Sequence, residues 1–369
     1  MSVSKLPNGA YKARYRTPEG KQVSKQFTTL REAKRWATDE QAKVNSGRWI
    51  DLANSVTVAQ YAAQWAAARP HSDNTARRTG LSIKKHVTAT PLGSRPMVKV
   101  RPSEVQAWAS GRAEVLAPST IKLLVGTVRA IFASAVLDDV LAKSPVVGLA
   151  LPRSAGERIV PLTVEQVRRL ALAMPDRCKA AVITQAGLGL RIGELLALRA
   201  QDVDFLRRTV RIEWQLAEHS RERVPPKTPR SKRTIPLPQI VADALALHIQ
   251  KYPPTSDGSL WPMANGLTYI KNNYAARVFA TAVVKAGLPE GTTSHDLRHH
   301  FASVLLDGGA PVVAVSEALG HENATLVLTT YGHLMPNRED HIRKAIESAW
   351  KIEDQVRTGG SERAAEQGK

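Results

Sequence analysis

Two residues that can hold a phosphate group, His295 and Arg298, lie three positions apart at the start of a predicted helix. Thr293 and Asp296 form the capping box that would begin this helix. Residues three apart share one face of a helix. There the planar guanidinium of Arg298 could clamp two phosphate oxygens, and the helix N-terminus adds a positive field. The pair therefore suits phosphoryl transfer.

Arg191 is a charged residue in an apolar segment, and residues 178–199 around it are predicted to be helical throughout. A charge there is costly unless it is paired, and Glu194, three residues further on, is the candidate partner. A structural Arg–Glu pair is the ordinary explanation. Likewise a single His321 is more often a helix cap, and a single Tyr331 more often a core residue, than a catalytic group. Only the joint occurrence of these residues in one order favours chemistry.

A polar and basic loop separates two predicted strands, at about residues 209–214 and 235–237. It contains Lys227 in the sequence PKT and, further on, Arg230 and Lys232. Cationic side chains of this kind can serve phosphoryl transfer or contact phosphates.

The joint pattern resembles the catalytic domain of the tyrosine recombinases, the phage integrase family. That family's hallmark is the order Arg, Lys, His-x-x-Arg, His, Tyr. The residues that match it are Arg191, Lys227, His295, Arg298, His321 and Tyr331. The neighbouring text also matches over about residues 160–340, in the segments GLRIGELLALR, RTIPL, HDLRHHFAS, ALGH and TTYGHL. Lys232 is the alternative for the lysine position, and the PKT context favours Lys227.

The resemblance implies a DNA strand-transfer reaction with Tyr331 as the nucleophile. The phenolic oxygen attacks a DNA phosphate, which forms a 3′-phosphotyrosine and frees a 5′-hydroxyl. A 5′-hydroxyl from another strand reverses the step, and no ATP is needed because the ester keeps the bond energy. His295 is the candidate acceptor of the tyrosine proton, and Lys227 would protonate the leaving 5′ oxygen.

The other matched residues would stabilise the transition state without a metal ion. Arg191 and Arg298 would offset most of the charge on the phosphorane, and His321 would donate a hydrogen bond. Glu194 would hold Arg191 in place. The sequence has no Walker A motif, and a single cysteine, Cys178, without a carboxylate cluster, disfavours a metal site. Neither a cofactor nor a metal is expected.

Two alternatives use the same scaffold. One is a DNA-binding protein without catalysis, because fold does not fix function; such a protein would be expected to lack the tyrosine or an arginine. The other is a DNA-relaxing enzyme of the type IB topoisomerase kind with the same residues. A three-part layout with an N-terminal DNA-binding unit favours recombination.

Composition agrees with a nucleic-acid partner. The chain of 369 residues carries a formal net charge of +19 and a pI of about 10.2, which favours a polyanionic partner over a protein that is merely kept soluble by charge. One cysteine excludes a disulfide framework within the chain. Neither a signal peptide nor a membrane-spanning run is expected, so the sequence indicates a cytoplasmic protein.

The first fifty residues are predicted to form a hairpin and a helix, with strands at residues 11–16 and 21–28. Basic and apolar residues alternate on the first strand, which places Lys12, Arg14 and Arg16 on one face and Tyr11, Ala13 and Tyr15 on the other. The basic face is either a solvated surface or a DNA-binding surface, since a two-stranded ribbon can enter a DNA groove.

The next hundred residues are predicted to be helical. An apolar stripe marks a helix at residues 118–137, and another helix at about 73–88 has a basic face formed by Arg77, Arg78, Lys84 and Lys85. That face is either solvated or a phosphate-contact surface.

The sequence therefore predicts a multidomain tyrosine-recombinase fold. A small α+β arm-binding domain would occupy residues 1–52, an all-α, SAM-like core-binding domain 53–152, a mostly α catalytic domain with a small β-sheet 153–350, and a flexible tail 351–369. The expected partners are double-stranded DNA attachment sites and three further copies of the chain in a tetramer on DNA. A DNA-bending host factor and an excisionase are further candidates, and no membrane is expected.

Overall fold

The computed structural model divides the chain into two compact units, residues 1–156 and 157–369. The structure describes residues 1–46, 56–69, 73–152, 159–226, 228–334, 343, 346–348 and 350. Helices predominate and the sheets are small, as the sequence predicts. The predicted boundary at residues 52–53 and the predicted tail at 351–369 lie outside the described residues, so the division into three domains stays a prediction.

The first unit begins with a three-stranded antiparallel sheet of order β1-β2-β3 and one helix. These elements are β1 (Ser2–Lys5), β2 (Tyr11–Arg16), β3 (Gln22–Phe27) and α1 (Leu30–Asn45). The sequence predicts β2, β3 and α1 but misses β1, because SVSK is short, mostly exposed and without apolar alternation. Pairing holds this strand in place, with Val3 opposite Ala13 on β2.

The apolar face of β2 packs on α1, as predicted. Ala13 and Tyr15 are buried, and the ring of Trp36 on α1 meets that of Tyr15 edge-on at 5.4 Å between centroids. The helix begins where the sequence indicates, because the Thr29 side chain accepts a hydrogen bond from the backbone N–H of Glu32.

The described remainder of the first unit is helical. Its helices are α2 (Val58–Ala68), α3 (Asp73–Ile83), α4 (Pro102–Ala113) and α5 (Pro118–Leu137), and a π-helical turn, Lys84–Thr88, extends α3. The apolar stripe predicted on α5 is buried, at Val128, Ile131, Phe132 and Ala135. By length and composition alone α5 is long and apolar enough to cross a membrane. The expectation that the sequence contains no such run is therefore wrong on those two criteria. The burial of α5 in the core of the unit accounts for its apolar character.

The second unit surrounds a small sheet with helices. The helices are α6 (Val164–Ala173), α7 (Lys179–Leu188), α8 (Ile192–Ala197), α9 (Gln239–Lys251), α10 (Lys271–Asn273), α11 (Ala280–Lys285), α12 (Ser294–Asp307), α13 (Val312–Leu319) and α14 (Thr325–Tyr331). The strands are β4 (Val203–Asp204), β5 (Thr209–Ile212), β6 (Gln215–Leu216), β7 (Arg223–Val224) and β8 (Arg233–Pro236). They form a sheet of order β4-β5-β8 and a β6-β7 hairpin, with Val210 opposite Ile235.

Residues 178–199 do not form one helix, so that prediction is wrong. Gly189 separates α7 from α8 with a φ of 63°, a left-handed conformation that glycine adopts at little cost. A Cβ on Gly189 would lie 2.3 Å from a ring carbon of Phe301. The chain therefore leaves the helix at this glycine, and Arg191 becomes the N-cap of α8 instead of a residue in a helix interior.

The apolar side chains of α12 are only partly buried. Leu297 and Phe301 are buried and Leu305 is half-buried, but Val304 is 48% exposed. The reason is that the second half of α12 borders an apolar groove shared with α6 and α7, so its apolar stripe is not covered along its whole length.

Replacing Gly189 by alanine should lower the free energy of unfolding by more than about 2 kcal/mol, because left-handed strain of about 1–2 kcal/mol adds to a clash with Phe301. Gly266→Ala is the matched control, since Gly266 has a φ of 77° but nothing within 4 Å of the added carbon. Denaturant unfolding of both variants measures the difference. Equal losses of stability would show that the contact with Phe301 does not constrain residue 189.

Candidate active site

A buried arginine, Arg298, joins the C-terminal ends of two helices. Arg298 is 2% exposed; its Nη1 donates to the Gly189 carbonyl over 2.8 Å and its Nη2 to the Leu319 carbonyl over 2.6 Å. These carbonyls end α7 and α13, where the helix dipole is negative. Burial, with repulsion from Arg191 and partly offset by attraction to Glu194, lowers the pKa of Arg298 to about 9. The guanidinium therefore stays charged at neutral pH.

A single buried carboxylate, Glu194, is shared by two arginines. Its Oε1 lies 2.8 Å from Nη1 of Arg191, and its Oε2 lies 3.0 Å from Nη2 of Arg233. Oε2 also accepts the backbone N–H of Arg191, which is a capping contact at the start of α8. Burial acts to raise the pKa of Glu194, but Arg233 and Arg191 outweigh it and hold that pKa below its ordinary value. The predicted pairing of Arg191 with Glu194 is therefore present, with an ionised carboxylate.

Sequence reasoning did not single out Arg233, which lies at the end of the predicted polar and basic loop. Its side chain is only 7% exposed. Besides Glu194, it donates from Nε to the Ala318 carbonyl over 2.7 Å and from Nη1 to the Ser231 carbonyl over 3.0 Å. Arg233 is the first residue of β8 and pairs with the buried Ile212. Its place in a strand with a buried neighbour is the signal that could have identified it.

Arg191 differs from the other two arginines because its side chain is 37% exposed. Its Nη2 also donates to the Gly320 carbonyl over 3.3 Å. Arg191, Arg233 and Arg298 face one carboxylate, Glu194, so these four side chains carry two uncompensated positive charges. The exposed part of Arg191 is where this charge meets solvent, which suits a phosphate group.

Two histidines border this charge and are neutral at physiological pH. His295 is partly exposed to solvent, yet desolvation inside the site, together with the neighbouring His299 and Arg298, lowers its pKa to about 4. Burial and three arginines, Arg298 first, lower the pKa of His321 to about 4 as well. The Nδ1 of His321 is buried and has no hydrogen-bond partner among the described residues. His321 therefore combines a backbone contact that ends α13, from its N–H to Ser316, with an imidazole that can still bond a ligand.

Tyr331 is the last residue of α14 and is buried. Its hydroxyl lies 2.6 Å from Nδ1 of His299, and the two rings meet at 5.5 Å between centroids. Burial raises the pKa of Tyr331, and Arg298 partly opposes that rise. The hydrogen-bond partner is thus His299, which sequence reasoning did not single out, whereas His295 packs its ring on His299 at 4.7 Å.

The basic loop is described on either side of Lys227, which itself lies outside the described residues. Lys232 is exposed and follows a 3-10 turn at Pro229–Ser231. Arg230 in that turn donates from Nη1 to the Glu322 carbonyl, so the loop is tied to the segment that follows α13.

The structure brings five of the six residues that match the recombinase pattern into one site, namely Arg191, His295, Arg298, His321 and Tyr331, with Glu194 between the arginines. The basic residues predicted to contact DNA elsewhere are on the first unit: Lys12, Arg14 and Arg16 on β2, Arg77 and Arg78 on α3, and Lys84 and Lys85 on the π-helical turn. Lys12 and Arg14 are half-buried, and the others are exposed.

Comparisons with known proteins show the family of the chain. The phage integrase family model matches residues 161–338. The tyrosine recombinase XerA of Thermococcus kodakarensis is 30% identical over 241 residues, which cover 63% of this chain and 76% of XerA. This chain belongs to the tyrosine recombinase family. A putative prophage phiRv2 integrase of Mycobacterium tuberculosis is 26% identical over 353 residues, and the match covers 92% of this recombinase and 93% of that protein.

Solved integrase structures share the fold of this recombinase. The Tn1549 transposon integrase in complex with a circular intermediate DNA has a TM-score of 0.70 and 26% identity, covering 80% of this chain and 100% of that one. A lambda integrase dimer bound to a core site has a TM-score of 0.61 and 18% identity, covering 89% and 93% of the two chains, and shows the fold alone. The predicted family is confirmed, and site-specific recombination is favoured over the two alternatives.

Replacing Glu194 by glutamine in this recombinase should lower the free energy of unfolding by about 3–5 kcal/mol at pH 7, because Arg233 would keep a buried charge without its carboxylate. Glu165→Gln, at an exposed position on α6, is the control and should change stability by less than about 0.5 kcal/mol. Since the folded-state pKa of Glu194 is lowered, its contribution is fully present above its ordinary value of 4.5 and is lost as pH falls through the folded pKa. Denaturant unfolding at pH 7 and below pH 4.5 measures this; a gap between wild type and variant that did not narrow in acid would contradict the assignment.

Proposed function

We propose that this tyrosine recombinase cleaves and rejoins DNA at attachment sites through a 3′-phosphotyrosine on Tyr331, and so integrates or excises a mobile element. The observation that carries the proposal is the convergence of Tyr331 with Arg191, Arg298 and two neutral histidines from separate segments of the chain. Such a group has the charge and the nucleophile that phosphodiester transesterification requires.

The arginines act on the transition state. A phosphodiester has little intrinsic reactivity, so fixed cations must offset the charge that develops on the phosphorane. Arg191 has the exposed guanidinium that can contact the phosphate, and Arg298 supplies a second positive charge from a position fixed by two backbone carbonyls. Glu194 and Arg233 hold Arg191 in place, as the sequence predicts for Glu194.

The neutral histidines and the lysine complete the proposed chemistry. His321 has an imidazole nitrogen that bonds none of the described residues, which makes it the candidate for a hydrogen bond to a phosphate oxygen. Lys227 is the proposed proton donor to the leaving 5′ oxygen, with Lys232 as the alternative in the same loop. Retention of the tyrosine and both arginines argues against a DNA-binding protein without catalysis.

The three-stranded sheet of the first unit is the proposed arm-binding surface, within a domain at residues 1–52. Lys12, Arg14 and Arg16 lie on its central strand, and the residues directly opposite them are short or polar: Ser2, Ser4, Gln22, Ser24 and Gln26. Residues opposite each other in a sheet share a face. A basic face without bulky side chains can approach a DNA groove closely.

The remaining surfaces and partners follow from the reaction. The basic residues of α3 and its π-helical turn would contact the core site from a domain at residues 53–152, with Arg230 and Lys232 doing so from the catalytic domain at 153–350. Exchange of two strands between two duplexes needs four nucleophiles, so we propose a tetramer on DNA. The lambda integrase neighbour has been solved as a tetramer bound to a Holliday junction. A DNA-bending host factor and an excisionase stay predicted partners, and the bacterial cytoplasm is the proposed compartment.

Tyr331→Phe should abolish the covalent protein–DNA adduct on a nicked suicide substrate but keep DNA binding and the fold. Tyr252→Phe, which removes a phenolic oxygen hydrogen-bonded to Asp176 instead, is the control and should form the adduct. Denaturing gels measure the adduct, and a parallel reaction in excess chelator should proceed at the same rate, because no metal ion is predicted to take part. An adduct in Tyr331→Phe would refute the assignment of the nucleophile.

Neutralising the basic face of the sheet with Lys12→Gln, Arg14→Gln and Arg16→Gln should weaken binding to full-length attachment sites and leave cleavage of a short core site unchanged. If each residue contacts one phosphate, the slope of log affinity against log salt should fall by about 2.7. The charge-matched control is the triple variant Arg31→Gln, Lys34→Gln and Arg35→Gln, at exposed positions on α1. Unaltered footprints on arm DNA in the triple variant would rule out the sheet as the arm-binding surface.

A further inference from the structure

The hydrogen bond between Tyr331 and His299 involves the atom that the proposed reaction uses. The phenolic oxygen lies 2.6 Å from Nδ1 of His299, at the short end of the range for an O–H donor. His299 lies one helical turn after His295 on the same face of α12, and the two rings meet edge to face. His295, His299 and Tyr331 thus form a row of three side chains, with the nucleophile at its end.

The direction of this hydrogen bond follows from the protonation states. Burial lowers the pKa of His299, whereas burial raises that of Tyr331, so at neutral pH the imidazole is neutral and the phenol keeps its proton. A neutral imidazole has one acceptor nitrogen. Because Nδ1 receives the phenolic hydrogen, Nε2 carries the hydrogen of the ring.

We propose that His299 is a catalytic residue that accepts the proton of Tyr331 as its oxygen attacks the DNA phosphate, an inference that rests on the proposed function. In this step the O–H bond of Tyr331 breaks and its proton becomes an N–H bond on Nδ1 of His299. The phenolic oxygen forms the bond to phosphorus, and the bond from phosphorus to the 5′ oxygen breaks. The 5′ oxygen takes a proton from the general acid, for which Lys227 is the candidate. Rejoining returns the proton from His299 to Tyr331.

The contacts in the site support proton acceptance by His299 more than proton acceptance by His295. His299 contacts the hydroxyl of Tyr331 directly, whereas the contact seen for the His295 ring among the described residues is with the ring of His299. The groups that act on His299 are the carboxylate of Asp296, which favours an imidazolium, the guanidinium of Arg298, which disfavours it, and the ring of His295, all on α12. Tyr331 is its partner on α14. The anionic substrate adds negative charge beside the ring and thereby favours proton transfer when DNA is bound.

The alternative role for His299 is to position Tyr331 without taking its proton, and one substitution separates the two. In His299→Asn the amide Oδ1 stands close to where Nδ1 stands in histidine and can accept the same hydrogen bond, but it cannot become protonated at these pH values. His299→Gln is a second variant that keeps a polar side chain on α12. His300→Gln is the matched control, because His300 also lies on α12 but bonds the Leu162 carbonyl through its Nδ1.

The experiment measures single-turnover cleavage of a nicked duplex by the full chain between pH 6 and 8. His299→Asn should be about 100-fold slower than wild type at pH 7. Its rate should rise about tenfold per pH unit, because only the pre-ionised phenol reacts below the tyrosine pKa. The cleavage rates of wild type and His300→Gln should become independent of pH above the lowered pKa of His299. Melting curves and DNA affinity should show that each variant folds and binds.

A substrate with sulfur in place of the bridging 5′ oxygen gives a second, independent measurement. A thiolate leaves without a proton, so this substrate restores variants that lack the general acid but should not restore His299→Asn. Wild-type rates and a wild-type pH profile in folded His299→Asn and His299→Gln, or rescue by the sulfur substrate, would overturn the inference. Neither result would affect the nucleophile, whereas an adduct in Tyr331→Phe would refute the proposed function itself.

Discussion

The buried guanidinium of Arg298 is the contact on which the geometry of the site depends. A charge in the interior is tolerated only where fixed dipoles or counter-charges compensate it. Here two backbone carbonyls, at Gly189 and Leu319, do so directly. They end α7 and α13, and the part of the chain described between them holds the sheet and five α-helices, α8 to α12. Holding one cation therefore fixes the positions of the segments that carry Arg191 and His321.

The shared carboxylate of Glu194 explains why this site can be both buried and cationic. One anion divided between Arg191 and Arg233 is enough to keep those side chains in place but too little to neutralise them with Arg298. Burial first, and then the excess positive charge, lower the pKa values of His295 and His321 and keep these imidazoles neutral. Neutral imidazoles can accept as well as donate hydrogen bonds, so a site that attracts a phosphate also keeps proton acceptors.

Local sequence signals predicted the elements that carry the site but not the contacts between them. The capping box at Thr293 gave the start of α12, and the stripe on α5 gave its burial, because both are encoded within a few residues. The break at Gly189 depends on Phe301, which lies on a different helix. The roles of Arg233 and His299 likewise depend on partners far along the chain, Glu194 and Tyr331. Helical or strand periodicity cannot indicate such partners.

Family resemblance identified site residues that periodicity could not identify. It does not, however, state which side chains are in contact. It identified Arg191, Arg298, His321 and Tyr331 as one group, which the structure brings together. It assigned proton acceptance to His295 by its place in a motif. A motif records which residue types recur, whereas the partner of a hydroxyl hydrogen is decided by distances of a few tenths of an ångström.

The site of the second unit lies where two apolar cores meet. Helices α12, α13 and α14 share a small core of their own, which includes Phe301, Leu319 and Tyr331. These apolar contacts therefore help to position the segments that carry the histidines of α12, His321 and Tyr331. Arg191 and Glu194 belong instead to segments packed on the main core. Polar contacts join the two cores, from Arg298 to Gly189 and from Arg233 to Ala318. Because polar contacts depend steeply on distance and angle, we expect the position of Arg191 relative to Tyr331 to be sensitive to changes at this junction.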